Sequence, residues 1–342
     1  MKAFRVHEHG GPEALREETL PDPAPAADEA VVEVRACALN HLDLWVRRGV
    51  PGHRFPLPIT PGCDIAGVVA EVGSVVRNAK AGDRVVVAPG FGCGWCEACG
   101  DGDDNLCREY GIMGETRDGG YARYVRVPSR LLIPIPAGMA FEQIAAVPLT
   151  FLTAWHMLIG RCGLRAGDDV LVHAAGSGVG SAAVQIAKLC GARVWATAST
   201  EEKRAKARDL GADGAFGYEG FAEEVRKRTE KRGADIVFEH VGTATFEGSL
   251  KCLAKGGRVV TCGATTGADA RFDLRAVFFK SLSILGSTMG SRGEVMRIVR
   301  LVGQGRLKPV VDRVLPLSEI RRAHELLEKR EQFGKIVVVP EA

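Results

Sequence analysis

Four cysteines stand in one short stretch, Gly92-Cys93-Gly-Trp-Cys96-Glu-Ala-Cys99-Gly-Asp-Gly-Asp-Asp-Asn-Leu-Cys107. Their spacing, C-x2-C-x2-C-x7-C, brings four thiols into fifteen residues. In a reducing compartment such a cluster signals metal rather than disulfide. Four thiolates in one loop match tetrahedral Zn²⁺, which takes sulfur at about 2.3 Å. A site closed by four sulfurs leaves no position for a substrate, so this zinc, one per chain, is expected to be structural. An iron–sulfur cluster is the alternative, although the proline that often follows such a run is missing; a metal-free cluster is the other. The remaining six of ten cysteines (Cys37, Cys63, Cys162, Cys190, Cys252 and Cys262) lie among apolar or small residues and read as small buried hydrophobes.

A second stretch could hold phosphate. Val170–Val172 is a short apolar run, Gly176, Gly178 and Gly180 follow it, and small apolar residues then recur at helical spacing from Ala182 to Ala187. A strand that passes through glycines into a helix lets backbone N–H groups approach a pyrophosphate, and the helix dipole favours its charge. The turn departs from G-x-G-x-x-G, because Ala175 and Ser177 occupy its first two glycine places. A plain tight strand–helix connection is the competing reading. At the end of the next strand the acidic residue that would select NAD is replaced by Ala198. Ser199, Thr200, Lys203 and Arg204 follow and suit a 2′-phosphate, which favours NADP(H), with Glu201 and Glu202 as opposing charges. A solvated helix face is the other reading of Lys203 and Arg204.

The elements around these stretches fall into two patterns. Residues 1–130 are β-rich, with strands expected at Lys2–Val6, Ala30–Val34, Ala66–Val72, Arg84–Ala88 and Tyr121–Val127, as in a small distorted barrel. A helix is expected from Glu142 to Ile159. Strands and helices then alternate to about residue 285: strands Val170–Val172, Arg193–Ala198, Ile236–Phe238, Arg258–Cys262 and Ser283–Leu285, with helices near 181–190, 202–209, 221–231 and 245–253. Such alternation predicts a parallel, doubly wound sheet. The tail has two helices (Gly293–Val302, Ser318–Arg330) and a strand, Lys335–Val339, too little to fold alone.

Composition excludes several classes. With 342 residues, 46% hydrophobic and 25% charged, the chain reads as an ordinary globular protein of two domains. A net charge of +3 argues against nucleic acid or an anionic membrane as partner. No apolar run reaches membrane-spanning length, and the N-terminus lacks the apolar core of a signal peptide, so a cytoplasmic location is expected.

Taken together, Pro61-Gly62-Cys63-Asp64-Ile-Ala-Gly67, Ala81-Gly82-Asp83-Arg84-Val85, the cysteine lobe, Asp118-Gly-Gly-Tyr-Ala122, the glycine turn and Gly334-Lys335 resemble the medium-chain dehydrogenase/reductase superfamily. The resemblance covers essentially the whole chain. It implies an α/β fold: a Rossmann domain at 151–285 inserted in a GroES-like β-barrel catalytic domain, formed by 1–150 and completed by 286–342. In zinc alcohol dehydrogenases of this superfamily a catalytic metal is held by cysteine, a His-Glu pair and a later cysteine. Here those places fall on Asn40, Cys63-Asp64 and Leu149, and the relay hydroxyl becomes Leu42. Thiolate, imidazole and thiolate cannot be assembled from these, although Cys63 and Asp64, with Cys37 or His41, leave an unconventional metal site open.

The resemblance therefore implies a quinone-oxidoreductase-like or enoyl-reductase-like enzyme that kept the structural zinc and lost the catalytic one. Such an enzyme would deliver hydride from NADPH to a small-molecule substrate whose double bond is activated by a carbonyl. By position Asn40 is a catalytic hydrogen-bond donor or a nicotinamide-positioning group, or alternatively a residue capping local backbone, and Thr150 lines the nicotinamide pocket. His41 stands at a pyrophosphate-binding place; Gly176, Ser177, Gly178, Val179 and Gly180 form the turn, and Gly242, Gly263 and Lys335 complete the cofactor set. Two other readings stay open, an alcohol dehydrogenase with an unconventional metal and a non-catalytic NADPH-binding protein. The apolar run Ser281–Ser287 should be an edge strand, which in related proteins pairs with its copy, so a homodimer (or a tetramer of such dimers) is expected.

Overall fold

This computed structural model describes residues 1–341. The chain divides into two compact units, one of Met1–Leu149, Ser291–Gly305 and Pro309–Ala342, the other of Thr150–Gly290 and Arg306–Lys308.

The first unit is built on a seven-stranded sheet centred on Glu29–Ala38, whose β-branched residues bury most of its length. That strand pairs antiparallel with Asp64–Val72, with Tyr124–Pro128 and with Lys335–Val339. Arg84–Val87 and Leu132–Pro134 extend the sheet on one side and Val311–Pro316 on the other. Register is what matters for function. Ala38 lies opposite Asp64 on one neighbour and Val337 on the other. Continuing each ladder by two residues brings Asn40, the start of Asp64–Val72 and Lys335 to one end of the sheet. The C-terminal strand thus completes the N-terminal sheet.

The second unit carries six parallel strands in the order Gly214–Phe216, Arg193–Thr197, Asp169–Val172, Ala234–Glu239, Leu253–Thr261 and Ser283–Gly286. The first strand in the chain lies third and the order reverses beside it, the Rossmann arrangement. The central strands are apolar on both faces, as helical cover on each side requires. Ser283–Gly286 ends one side of the sheet, as the sequence leads one to expect.

Some elements differ from the sequence reading. Gly214–Phe216, Leu15–Thr19, Leu132–Pro134 and Val311–Pro316 are strands that show too little alternation to be read. The helix expected over 142–159 breaks into Phe141–Ala145 and Pro148–Trp155, followed by a π-helical turn at His156–Arg161. Pro148 has no N–H for the preceding turn, and so begins a helix instead of continuing one. Among the described residues, no helix is long and apolar enough to cross a membrane.

Candidate functional site

At the end of the first unit's sheet, three strand ends place Asn40, Cys63, Asp64 and Lys335 together, all buried. The Lys335 ammonium donates to Asp64 Oδ2 at 3.0 Å and to Asn40 Oδ1 at 2.5 Å. Asn40 Nδ2 faces Asp64 Oδ2 at 2.9 Å, Ala38 O at 3.3 Å and Cys63 Sγ at 3.4 Å. The second Asp64 oxygen accepts from the Leu149 N–H at 2.7 Å. Asp64 therefore has a cation and donors on both oxygens. The charge of Asp64 is balanced by the Lys335 ammonium.

Below it lies a second carboxylate. Asn40 caps the helix His41–Arg48, and its N–H donates to Asp43 Oδ2 at 2.7 Å, while Gly62 N–H donates to Asp43 Oδ1 at 3.1 Å. Burial pushes the Asp43 carboxyl up to about 6 despite these donors. Burial, with Asp43 and Asp64 nearby, also holds the Cys37 and Cys63 thiols well above their ordinary range, so both stay protonated. Protonated thiols are poor metal ligands.

The amide hydrogens of Asn40 turn inward to Asp64 and Ala38, and Asn40 caps a helix, the local role that the sequence also allows. The buried Lys335 ammonium is held by Asn40 and Asp64. His41 opens its helix with its ring edge-on to Trp45, centroids 5.3 Å apart. Thr150 is buried in the helix Pro148–Trp155 and belongs to the second unit.

The four cysteines of the lobe converge. The Sγ atoms of Cys93, Cys96, Cys99 and Cys107 all lie within 4.8 Å of one another, and Cys93 and Cys99 are 4.0 Å apart. A tetrahedron of sulfurs around zinc has edges of about 3.8 Å. Peptide N–H groups point at the sulfurs: Gly94 at Cys99, and Cys93 and Glu109 at Cys107, each at 3.3 Å. Such donors stabilise thiolates. A N–H from Trp95 helps hold the Cys93 thiol down to about 7. Despite the Gly94 N–H, desolvation and the Cys96 and Cys107 sulfurs push Cys99 up to about 12. Four sulfurs this close, with peptide N–H groups aimed at two of them, form a donor set that fits one Zn²⁺, whose charge would favour the thiolate form. A side chain at Gly92 would meet Cys99 Sγ at 2.6 Å, so only glycine lets the loop close.

In the second unit the strand Asp169–Val172 leads through His173, Ala174, Ala175 and Gly176 to Ser177, which caps the helix Gly178–Leu189 by accepting from Gly180 N–H at 2.9 Å. A Cβ on Gly180 would stand 2.3 Å from Ala174 O, which explains that glycine. The N–H groups of Gly178 and Val179, in the first turn, have no intrahelical acceptor. Gly242, at φ +95°, follows the strand Ala234–Glu239, and Gly263 follows Leu253–Thr261. Thr200 caps the helix Glu201–Asp209 through the Lys203 N–H at 3.2 Å. Arg204 lies against Ala198 O at 3.4 Å, with Nε on Glu201 at 2.8 Å. Coenzyme-type donors thus gather at the carboxyl ends of these strands, where ligands bind in such sheets.

Residues 26–137 match the alcohol dehydrogenase GroES-like domain family, and residues 178–304 match the zinc-binding dehydrogenase family. The crotonyl-CoA carboxylase/reductase of Cereibacter sphaeroides is 32% identical, over 99% of this chain and 87% of that protein. The chain belongs to the medium-chain dehydrogenase/reductase superfamily. Human quinone oxidoreductase is 30% identical over 99% of this chain and 98% of its own. A crystal structure of an NAD-dependent alcohol dehydrogenase is 50% identical with a TM-score of 0.96, covering 99% of both chains. A crotonyl-CoA carboxylase/reductase in complex with NADP is 26% identical with a TM-score of 0.91, covering 99% of this chain and 94% of that one.

Within this superfamily the departures are the informative part. The Asp64–Lys335 pair is legible only as two separate motifs, Cys63-Asp64 and Gly334-Lys335. Sequence reasoning assigns no role to His173 or Glu239, although each is a polar residue directly after an apolar run, Val170–Val172 and Ile236–Phe238, and that was the available signal.

Proposed function

We propose that this chain is an NADPH-dependent reductase that delivers hydride to a carbonyl-activated double bond in a quinone, an enone or an enoyl thioester, with no catalytic metal. The observation that carries this reading is the Lys335 ammonium on Asp64. Oxidising an alcohol needs the hydroxyl proton removed, which a Lewis acid assists. Here the buried Asp64–Lys335 pair is neutral overall and closed by Asn40 and Leu149, so it offers no strong electrophile. An acceptor already polarised by its own carbonyl needs none, because its enolate requires only hydrogen-bond donors and a proton. The named relatives that reduce quinones and enoyl thioesters support the same reading, as do the sequences at Asn40, Cys63 and Leu149.

Bound nicotinamide supplies the hydride. The chain's part is to seat the pyrophosphate on the Gly178 and Val179 N–H groups and to meet the 2′-phosphate with Ser199, Thr200, Lys203 and Arg204. The Arg204–Glu201 pair is exposed on the Glu201 side and screened by solvent, so a phosphate can displace it. The four cysteines would hold one structural Zn²⁺, consistent with a reducing, cytoplasmic setting. A second copy of the chain is the proposed partner at the sheet edge. Ile284 is exposed there, and Leu274, Phe278 and Phe279, just before that strand, are exposed as well. Open apolar edges invite such pairing.

Coenzyme oxidation with quinones, enals and enoyl-CoA thioesters, against alcohol oxidation with NAD⁺ and NADP⁺, tests the reading. The expected outcome is NADPH consumption with an activated alkene, and a preference for NADPH over NADH of roughly a hundredfold. Alcohol oxidation outpacing every alkene would overturn it.

A further inference from the structure

His173 and Glu239 are fully buried in the second unit, at the carboxyl ends of neighbouring strands. A chain of hydrogen bonds joins them. Ala174 N–H donates to Thr197 Oγ1 at 3.2 Å, and Thr197 Oγ1 lies 3.0 Å from His173 Nδ1. His173 Nε2 lies 2.9 Å from Ser249 Oγ, and Ser249 donates to Glu239 Oε2 at 2.9 Å. Thr245 donates to the same oxygen at 2.8 Å, while the N–H groups of Val241 and Gly242 donate to Glu239 Oε1 at 2.6 and 3.1 Å. His240 Nε2 donates to His173 O at 2.9 Å.

The chain has a direction. Glu239 Oε2 and Thr245 O, each 2.9 Å from Ser249 Oγ, can only accept, so the one hydrogen of Ser249 goes to one of these two. Ser249 can then only accept from the imidazole, which fixes the Nε2–H tautomer and leaves Nδ1 to accept from Thr197. Burial holds His173 down at about 4, so the ring is neutral near pH 7. Burial would raise Glu239, but its partners outweigh burial and hold the carboxyl below its usual range.

Each end of this chain reaches a loop that the coenzyme would touch. One end sets Ala174, a non-glycine residue at φ +46° and the first bend of the glycine turn, whose Ala175 N–H also donates to Thr197 O at 2.9 Å. The other end sets Val241 and Gly242, after the strand Ala234–Glu239. We propose that His173 is a positioning residue for the dinucleotide: through the Thr197–His173–Ser249–Glu239 chain it locks the glycine turn and the Val241–Gly242 loop into one geometry. This rests on the reading that the unit binds a nicotinamide dinucleotide, and goes beyond it by naming what holds the seat in shape.

The test uses the full chain. With ¹⁵N-labelled histidine and no coenzyme, His173 (assigned by its loss in His173→Gln) is expected as the neutral Nε2–H tautomer at pH 7. Ser249→Ala removes the acceptor at Nε2, and the Nδ1–H form should appear. His173→Leu should raise the NADPH dissociation constant by roughly tenfold or more in fluorescence titration, the worth of one or two net hydrogen bonds, with kcat retained at saturation. His173→Gln, which keeps the donor to Ser249, should recover part of that loss. A wild-type Nδ1–H or doubly protonated ring overturns the proposal, as does an unchanged dissociation constant in folded His173→Leu. If His173→Leu does not fold, the wild-type tautomer and Ser249→Ala decide. A wild-type chain that binds neither NADPH nor NADH overturns the coenzyme reading itself, and the proposal with it.

Discussion

The first unit holds two places where the superfamily can keep a metal, and they have gone opposite ways. In the lobe, four sulfurs gather within 4.8 Å and peptide N–H groups support their charge. At the sheet end, the places of the catalytic ligands hold an amide, a protonated thiol beside a carboxylate, and a leucine whose N–H caps that carboxylate. One place gathers negative charge that needs a cation; the other already contains its own. The difference teaches that losing a catalytic metal takes more than losing its ligands. A buried carboxylate left behind must be neutralised, and here Lys335 does so.

Three measurements sharpen or break this comparison. The largest effect is expected in the lobe. Structural zinc in small domains contributes about 10 kcal/mol or more to folding. Cys96→Ser should therefore release the metal and lower the melting temperature steeply, while any folded fraction still reduces substrate. Elemental analysis should find about one zinc per wild-type chain, since one tetrahedral site holds one ion. A folded fraction that keeps its zinc but loses all activity would mean that the lobe is the catalytic metal site.

Lys335→Met comes next. It strands Asp64 without its ammonium, and breaking a buried pair costs about 3–5 kcal/mol. The metal content should stay at about one ion per chain, because Asn40 and Leu149 still cap Asp64 and Cys63 stays protonated. A rise towards two ions would show that the lysine only keeps a latent metal site shut.

The smallest effect concerns pH. Asp43 is raised to about 6 when folded, against about 3.9 unfolded. A carboxyl raised in the folded state adds stability that is fully present below pH 3.9 and is lost as pH rises through 6. Between those limits this group should account for about 2–3 kcal/mol of lost stability. Denaturant titrations from pH 4 to 7 should show that slope in the wild type and a flatter one in Asp43→Asn. An identical slope in both would mean that Asp43 is ionised throughout and that the sheet end carries a net negative charge.

Much of this protein was legible because it is local. The cysteine lobe is a loop whose chelating power depends on spacing within one stretch, and the strand, glycine turn and helix of the Rossmann unit follow each other directly. The alternation of apolar strands and helices from Val170 onward predicts the parallel sheet for the same reason. Misreadings came where local signals were weak or cut. Gly214–Phe216 is too short to alternate, and Pro148 interrupts a run whose apolar residues continue on both sides.

What the amino-acid order alone determined is therefore the superfamily, the cluster of four cysteines and the strand–glycine turn–helix unit, all specified by residues near in sequence. Only the tertiary structure decided the fate of the degraded catalytic site. Lys335 lies 295 residues from Asn40 and 271 from Asp64, and nothing in the spacing of either motif announces the other. The same holds for His173 and Glu239, 66 residues apart. Sheet register brings each set together, and register depends on which strands pair over long distances. That pairing, not local propensity, turned a vacant metal place into a closed ion pair.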